Sequence, residues 1–353
     1  MREINVAVVG CGEVANGHLK AWRKVRSARV VAVSDLNETL ARSTAKNWKI
    51  PHYYTSLPEL MELGNVDVVD ICTPPQTHAA LAVQAMKAGS NVVIEKPMTM
   101  TVKDAEEIVR CQKTAAVKAG VIHNWLFEPP IIEADSFVKK GYLGELYNVE
   151  IEALSTKEDS MAANERHWCH SLPGGRFSEM LAHPIYLARH FLGEVKVGTV
   201  KVSKIGDYPW MKSDDLCATF EVENKFGRAY ASFNAPRDAI FVNLYGRKAI
   251  LKLEVINATV NILPIRKNGR ISKGFDSLRQ ATQLMRSTFN NAAKIVFRSW
   301  LDGHEMYIKL FAESIVGDSE PPVTVEEGLK VVGALEEMCR MIEKAEKKLQ
   351  NID

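Results

Sequence analysis

The sequence lacks features that would direct it to a membrane, an oxidising compartment or a nucleic acid. No apolar run is long enough to span a bilayer, and no charged leader precedes the first predicted strand, so we expect a cytoplasmic protein. The six cysteines are scattered without a Cys-x-x-Cys pair and predict reduced thiols rather than a disulfide framework. Lysine and arginine outnumber aspartate and glutamate by only 45 to 43, a balance that excludes a strongly basic nucleic-acid-binding chain.

The 353 residues are too many for one compact core, and their pattern changes along the chain. Up to residue 123, short apolar runs such as Ile4–Val9 and Asn91–Ile94 alternate with helical segments, which predicts βαβ units and a parallel sheet. After residue 124, β-rich segments between Tyr147 and Val255 predict a mainly antiparallel sheet, followed by two helices. We therefore predict an α/β chain with domains at 1–123 and 124–353.

A glycine motif follows the first predicted strand and opens a helix. The residues fit the pattern G-x-G-x-x-A, and they are Gly10, Cys11, Gly12, Glu13, Val14 and Ala15. Glycines there allow a tight turn and close approach of the backbone to a pyrophosphate, while the helix N-terminus supplies unpaired N–H groups. The motif in this context predicts a dinucleotide site; the alternative is a plain glycine turn.

Asp35 ends the second predicted strand, where a carboxylate accepts hydrogen bonds from ribose hydroxyls and repels a 2′-phosphate. No arginine stands at position 36 or 37 to attract that phosphate. The pattern favours NAD over NADP as cofactor, unless Asp35 only caps the following helix.

Five motifs in order make the chain resemble the Gfo/Idh/MocA oxidoreductases, the family of glucose–fructose oxidoreductase and inositol dehydrogenase. They are GCGEVA at 10–15, TPPQTH at 73–78, EKP at 95–97, a glycine pair followed by E-x-x-x-H at 174–183, and PVTVEEG at 322–328. The resemblance implies a Rossmann domain followed by an α/β domain with an open, mainly antiparallel sheet. It also implies a sugar or polyol substrate and a homodimer or homotetramer assembled through the exposed face of the second sheet.

The resemblance also implies roles for individual residues. Lys96 of EKP hydrogen-bonds the reacting oxygen as general acid/base, and its position directly after a predicted strand suits that role. His183 and Glu179 are spaced four apart on a helix and share one face. His183 is expected to act as acid/base or proton relay, and the Glu179 carboxylate is expected to orient His183 or the substrate. Further contacts to the cofactor are expected from Thr73, Pro74, His78, Glu95, Lys96 and Asn124.

The chain departs from the family pattern at several of these positions. Glu179 replaces the usual aspartate, and Tyr186 stands where a second acid is expected. Pro184 follows His183 directly, and Leu126 replaces a usual arginine. These departures put the usual polyol chemistry and the identity of the base in doubt, and Glu179 and His183 have the alternative of a helix N-terminal acid and a core histidine.

A polar and aromatic segment precedes the glycine pair. Trp168 suits stacking on a sugar face, and the remaining residues suit hydrogen bonds to an anionic sugar such as a phosphorylated, nucleotide-linked or uronate substrate; they are Arg166, His167 and His170. A zinc set of His167, Cys169, His170 and His183 is a rival hypothesis, but the spacing fits no common zinc motif and we predict no metal. A structural loop is the remaining interpretation.

Residues 265–300 form a longer segment than the family usually has, with eight basic side chains against one acid. Large apolar residues are interleaved at partly helical spacing. This pattern favours a helix packed on its own protein or on a partner subunit. A lid over an anionic substrate is the second alternative, and a helix on a membrane surface is the least favoured.

Two other functions remain open beside a dehydrogenase. One is a redox-neutral glycosidase or lyase that retains NAD and oxidises its substrate transiently. The other is a non-catalytic NAD-binding sensor, against which the presence of Lys96, Glu179 and His183 argues.

Overall fold

The computed structural model describes residues 3–265, 270–296 and 300–351, and the chain divides into two compact units. The first unit comprises Met1–Asn124 and Asp302–Gly333, and the second comprises Trp125–Leu301 and Ala334–Asp353. Asp302–Gly333 differs from the prediction, because this segment belongs to the first unit.

The first unit contains a six-stranded parallel sheet with the strand order β3-β2-β1-β4-β5-β6. Its strands are β1 Ile4–Val9, β2 Ala28–Ser34, β3 His52–Tyr54, β4 Val68–Ile71, β5 Asn91–Ile94 and β6 Ala119–Val121. Its crossover helices are α1 Glu13–Lys24, α2 Glu38–Trp48, α3 Leu57–Met61, α4 His78–Lys87 and α5 Val102–Ala115. This is the predicted Rossmann arrangement, and a crevice at the carboxyl ends of the strands is expected where the order reverses between β1 and β4.

Side-chain caps set the beginnings of three of these helices. Asn37, Ser56 and Thr101 each accept a hydrogen bond from the backbone N–H three residues later. Such caps satisfy N–H groups that have no partner within the helix.

The late segment joins the first unit through buried apolar side chains. It forms α9 Gly303–Gly317 and the beginning of α10 Val325–Leu349. Tyr307 and Phe311 on α9 are completely buried, and Val325 belongs to the core of the parallel sheet. Helix periodicity shows that such a helix has an apolar face, but it does not show which domain covers that face, so the sequence could not place this segment.

The second unit contains a seven-stranded sheet with the order β13-β12-β11-β7-β10-β9-β8. All neighbours are antiparallel except β7 and β10, so the prediction of a mainly antiparallel sheet is confirmed. The strands are β7 Leu146–Thr156, β8 Lys196–Ser203, β9 Asp215–Val222, β10 Lys225–Ala235, β11 Ala239–Gly246, β12 Ala249–Glu254 and β13 Thr259–Pro264. The edge strand β13 was not predicted.

Three helices complete this unit beside the end of α10. They are α6 Pro129–Lys139, α7 Arg176–Leu192 and α8 Arg270–Val296. α7 packs against β7 and β10, and α8 packs against β13. Of the basic residues noted above, Arg266, Lys267 and Arg298 lie outside the described residues. Across the described ranges, no helix combines the length and apolar character needed to cross a membrane.

Candidate active site

The glycine turn after β1 leaves the N-terminus of α1 open. Gly10 has φ +93°, and a Cβ there would lie 2.7 Å from the carbonyl oxygen of Cys72, so only glycine fits without displacing the backbone. Gly12 caps α1 without a side-chain hydrogen bond, and a Cβ there would meet no atom within 4 Å. Glu13 and Val14 are exposed in the first turn, whereas Ala15 is buried. The open N–H groups of this turn fit a pyrophosphate.

Asp35 is fixed beside this turn by two backbone amides. Cys11 N donates to one carboxylate oxygen and Asn37 N donates to the other, both at 2.8 Å. The carboxylate therefore lies next to the turn, at the position from which it can accept ribose hydroxyls and repel a 2′-phosphate.

His78 connects the loops that follow β4 and β5. Its Nε2 lies 2.7 Å from the carbonyl oxygen of Thr73, and its Nδ1 lies 3.1 Å from that of Pro97. The ring is completely buried, and burial lowers its pKa. The structure gives His78 a positioning role between the two loops, with half-buried Thr73 and Pro74 beside it.

Lys96 follows β5 directly and is joined to Pro97 by a cis peptide bond. Its backbone N–H donates to Glu95 Oε2 at 2.8 Å, and the residue is half-buried. Asn124 follows β6, is buried, and places its side-chain nitrogen 3.4 Å from His304 Nδ1. Both therefore lie after strands at the same edge of the parallel sheet.

Behind Lys96 lies a buried cluster that sequence reasoning missed. His18 Nδ1 lies 2.8 Å from Asp70 Oδ2, while its Nε2 lies 2.9 Å from Glu95 Oε1. His304 Nε2 lies 3.2 Å from the same Glu95 oxygen. The Glu95 carboxylate is thus hydrogen-bonded inside the unit, and its direct contact with a cofactor stays a prediction.

The charges of this cluster stabilise one another. Burial opposes ionisation of Glu95, but the hydrogen bonds from His18 and His304 hold its pKa well below the ordinary value. Burial likewise opposes the cationic form of His18, yet the Asp70 carboxylate leads the interactions that raise its pKa well above the ordinary value. The signal in the sequence for this cluster is His18, a polar residue on the buried face of α1. The other members could not be assigned to it, because they are far apart in the sequence.

Two triads of ligating atoms come together among the described residues, and both include His18. One contains Glu95 and His304 and the other contains Asp70 and Cys72. The hydrogen bonds above account for these side chains except that of Cys72, whose Sγ donates to Asp70 Oδ1 at 3.8 Å. The rival zinc set of His167, Cys169, His170 and His183 forms neither triad.

In the second unit, the beginning of α7 carries a buried ion-pair network. Arg176, only 6% exposed, donates from Nη1 to Glu179 and from Nη2 to Asp159 Oδ2 at 3.2 Å. Burial opposes its charge, but Glu179 and Asp159 raise its pKa. Asp159 was not predicted, since nothing local connects it to α7.

One turn further along α7, His183 is held by two aromatic residues. Its Nδ1 lies 2.6 Å from Tyr186 Oη, and its ring stacks on Trp125 at 4.0 Å and 12°. Tyr186 Oη also accepts the backbone N–H of Trp125 at 2.9 Å. The tyrosine that replaces the expected acid is therefore the hydrogen-bond partner of the predicted histidine.

Several of these side chains line a cavity of about 210 Å³ within the second unit. Glu179 and His183 lie on its wall with the ion-paired Arg176, the stacking Trp125 and the acid Asp238. The structure thus brings the two predicted residues of α7 together in one cavity, next to side chains that sequence reasoning did not assign to a site.

The four residues predicted to bind the substrate, at positions 166, 167, 168 and 170, lie beside this cavity but do not line it. His170 Nε2 lies 3.0 Å from the carbonyl oxygen of Met161, which is a lining residue. The His167 and Trp168 rings contact each other at 5.1 Å, and partial burial lowers the pKa of His167, with Arg176 adding to this effect. Arg166 is exposed. The role of these four residues in substrate binding stays a prediction.

Comparison with known proteins matches both units. The family described as oxidoreductase, NAD-binding Rossmann fold, matches residues 4–123, and the GFO/IDH/MocA C-terminal domain matches residues 131–252.

Individual relatives are more distant. An oxidoreductase of Formosa agariphila is 27% identical over 76% of this chain and 84% of its own length. A D-apiose dehydrogenase of Rhizobium rhizogenes is 25% identical over 64% of each chain. The WlbA dehydrogenase from Bordetella pertussis, solved in complex with NADH and UDP-GlcNAcA, shares the fold with a TM-score of 0.79 at 19% identity, covering 98% of this chain and 96% of that one.

Proposed function

Because the chain belongs to the Gfo/Idh/MocA oxidoreductases, NAD-dependent enzymes with a Rossmann domain and a characteristic C-terminal domain, we propose that it is an NAD-dependent dehydrogenase of a neutral sugar or polyol with Lys96 as general acid/base. In this role Lys96 Nζ takes the proton of a secondary hydroxyl during oxidation and returns it during reduction.

One observation carries this proposal. The glycine turn follows β1, Asp35 follows β2 and Lys96 follows β5, and all three strands run parallel in one sheet, with β4 between β1 and β5. The loops after parallel strands share one edge, which is where doubly wound sheets bind their ligands. The phosphate-binding turn, the ribose acceptor and the amine therefore belong to the same edge.

The residues present fit a bound dinucleotide. Gly10 and Gly12 with the open first turn of α1 would hold the pyrophosphate, and Asp35 would accept the ribose hydroxyls, which favours NAD over NADP. The nicotinamide supplies the hydride acceptor or donor of the reaction when it is bound. His78 and Glu95 position the loop that carries Lys96, since each hydrogen-bonds its backbone or that of its neighbour.

The charges of the second unit's cavity favour a neutral substrate over an anionic one. Its cation, Arg176, is already paired with Glu179 and Asp159, and Asp238 adds a second acid to the lining. Carboxylates accept hydrogen bonds from hydroxyls and repel a carboxylate or phosphate. The cavity therefore favours a neutral substrate over the anionic one that the basic residues at 166–170 suggest.

The reaction is tested by following NADH absorbance with purified protein, NAD and a panel of polyols and sugars. Replacing Lys96 by alanine removes the base, and we expect kcat/KM to fall about 10²–10⁴-fold while NADH affinity changes little. Lys103→Ala, an exposed lysine on α5, is the matched control and should behave as the unchanged protein. Activity retained within tenfold in Lys96→Ala, or no absorbance change with any substrate, would contradict the proposal, and the second result would favour the redox-neutral alternative.

Substrate charge is tested with pairs that differ only at one carbon, such as glucose and glucuronate. We expect the neutral member to have the higher kcat/KM, and Asp238→Asn to narrow the difference. A preference for the uronate would restore the anionic interpretation.

A further inference from the structure

Helix α8 lies on the edge strand of the second unit with its polar face inward. Gln283 pairs with the backbone of Ile262 on β13, accepting its N–H at 2.8 Å and donating to its carbonyl at 3.2 Å. Asn291 donates to the carbonyl oxygens of Asn257 and Ala258 just before that strand. From residue 274 to 296, the half-buried positions are all polar, and they are Asp276, Gln283, Ser287 and Asn291.

The opposite face of the helix is apolar and exposed. At about 100° per residue, the large apolar side chains of α8 lie roughly half a turn away from the α8 side chains that contact β13. These apolar side chains are Phe275 at 67% exposure, Leu278 at 60%, Met285 at 57%, Phe289 at 69% and Val296 at 75%. A surface helix of a globular protein normally buries its apolar stripe and exposes its polar one. α8 is reversed, so its apolar face is complete only when something else covers it.

The spacing of this face identifies the kind of surface that fits it. Positions 275, 278, 282, 285, 289, 292 and 296 follow one another in alternating steps of three and four, carrying Phe, Leu, Thr, Met, Phe, Ala and Val. A repeat of seven with two apolar positions is the pattern of a helix that packs along another helix. Five large side chains that are more than half exposed present several hundred Å² of apolar surface, a substantial part of the ~800 Å² that one partner contributes to a standard interface.

Charge decides the direction of pairing. We call the row of positions 275, 278, 282, 285, 289, 292 and 296 the seam. Arg279 and Arg286 lie on one flank of the seam, and the other flank carries the uncharged Gly274, Ala281 and Thr288. Two antiparallel copies would place Arg279 of each copy opposite Arg286 of the other, which is repulsive. Two parallel copies would instead place each arginine opposite an uncharged residue.

From these observations we propose that α8 pairs in parallel with α8 of a second copy of this chain, about a two-fold axis along the helices. Each seam residue then meets the same residue of the other copy, as an isologous contact requires. This interface lies on a helix beyond the sheet edge and is distinct from the face of the sheet through which the resemblance implied assembly. An anionic membrane surface is the competing occupant, but such helices carry several lysines and arginines on their polar face. The polar face of α8 carries the cation Lys294 and the acid Asp276, and its amides Gln283 and Asn291 bond to the backbone of β13 and of the residues just before it.

The interface is tested by light-scattering mass determination on the full chain with two adjacent variants. Met285 lies on the seam and Leu284, 47% exposed, lies beside it. We expect Met285→Glu to halve the assembly mass and Leu284→Glu to leave it unchanged. Because both side chains are exposed, both variants should keep the melting temperature of the unchanged protein. Equal masses for the two variants, or an unchanged protein that is monomeric, would overturn the proposal.

Direction is tested by oxidative cross-linking of Leu278→Cys and Ala292→Cys, each alone. Parallel pairing brings each new thiol to its own counterpart, so each variant should cross-link by itself, and Leu284→Cys should not. The native cysteines in the described ranges are buried or half-buried. Cross-linking only in mixtures of two different cysteine variants, and not in either variant alone, would overturn the parallel arrangement. If Met285→Glu lost binding to phosphatidylglycerol vesicles without any change in mass, the membrane would replace the second copy as the occupant.

Discussion

The two units build their sites from different materials. At the glycine turn of the first unit, the groups that face a ligand are backbone N–H groups, which Gly10 and Gly12 expose by having no side chain. In the cavity of the second unit, the groups are side chains held by other side chains, as Arg176 is by Asp159 and His183 is by Tyr186. The first kind of site depends on local chain geometry, and the second depends on partners brought together by the fold.

The difference has an energetic consequence. A backbone site is damaged by adding atoms, because a Cβ occupies the space of the ligand or of a neighbouring strand. A side-chain site is damaged by removing atoms, because a buried charge or donor then loses its partner. Substitutions in the two units should therefore separate cofactor affinity from stability.

The largest effect is expected from removing Arg176 in the second unit. Arg176→Met would leave the Glu179 and Asp159 carboxylates without their shared cation at 12% and 17% exposure. We expect a loss of about 3–5 kcal/mol of stability, as for other broken buried ion pairs. Denaturant unfolding measures it, and Arg166→Met, at an exposed site ten residues earlier, is the control. If the free energy of NADH binding fell by as much as the free energy of unfolding, cofactor affinity and stability would not be separated between the two units.

A smaller effect is expected at His18, where the first unit depends on buried charges. His18→Gln keeps hydrogen-bonding atoms but removes the cation between Asp70 and Glu95, at an expected cost of about 3 kcal/mol near neutral pH. Since the folded-state pKa of His18 is raised, its stabilisation is complete below the ordinary value of 6.5 and is lost as pH rises through the folded-state value.

The difference in stability between the unchanged protein and His18→Gln should therefore shrink as pH is raised from neutral into the alkaline range. Unfolding curves at several pH values measure it. His52→Gln, at an exposed histidine on β3, should show no such trend. A difference that stayed constant with pH would show that His18 acts as a neutral hydrogen-bonding group.

The glycine turn should show the opposite separation. Gly10→Ala combines a positive φ with a Cβ 2.7 Å from the Cys72 carbonyl oxygen, so it should lower stability by about 2 kcal/mol and weaken NADH binding as well. Gly12→Ala has room for its Cβ and an ordinary φ of −68°, so it should weaken NADH binding about tenfold and leave the melting temperature unchanged. Calorimetry and fluorescence titration measure both quantities. If Gly12→Ala bound NADH normally, the pyrophosphate would not lie on this turn.

The same difference explains how far the sequence could predict the molecule. The glycine turn, the strand that precedes it and the lysine after β5 are close together in the chain or marked by motifs, and the bounds of β1 and β5 were predicted to the residue. Asp70 and Glu95, the partners of His18, and Asp159, a partner of Arg176, lie 17 to 77 residues away along the chain, and only the fold selects them. The reversed orientation of α8 could not be predicted either, since its periodicity is the same whichever face is buried.

The smallest and most local effect is expected at Tyr186. Tyr186→Phe removes the hydroxyl that lies 2.6 Å from His183 Nδ1 and accepts the N–H of Trp125, while it keeps the ring in its buried position. Loss of these bonds should cost about 1–2 kcal/mol of stability. If His183 moves protons during turnover, the loss should also lower kcat several-fold and shift the pH dependence of kcat, because the hydroxyl no longer fixes the ring. Tyr208→Phe is the control, since it removes from the same unit a buried hydroxyl that bonds to the carbonyl oxygen of Phe233, and Tyr208 does not line the cavity. Equal losses of stability with a changed pH profile only in Tyr186→Phe would assign His183 to the reaction, whereas identical pH profiles would leave it the role of a core histidine.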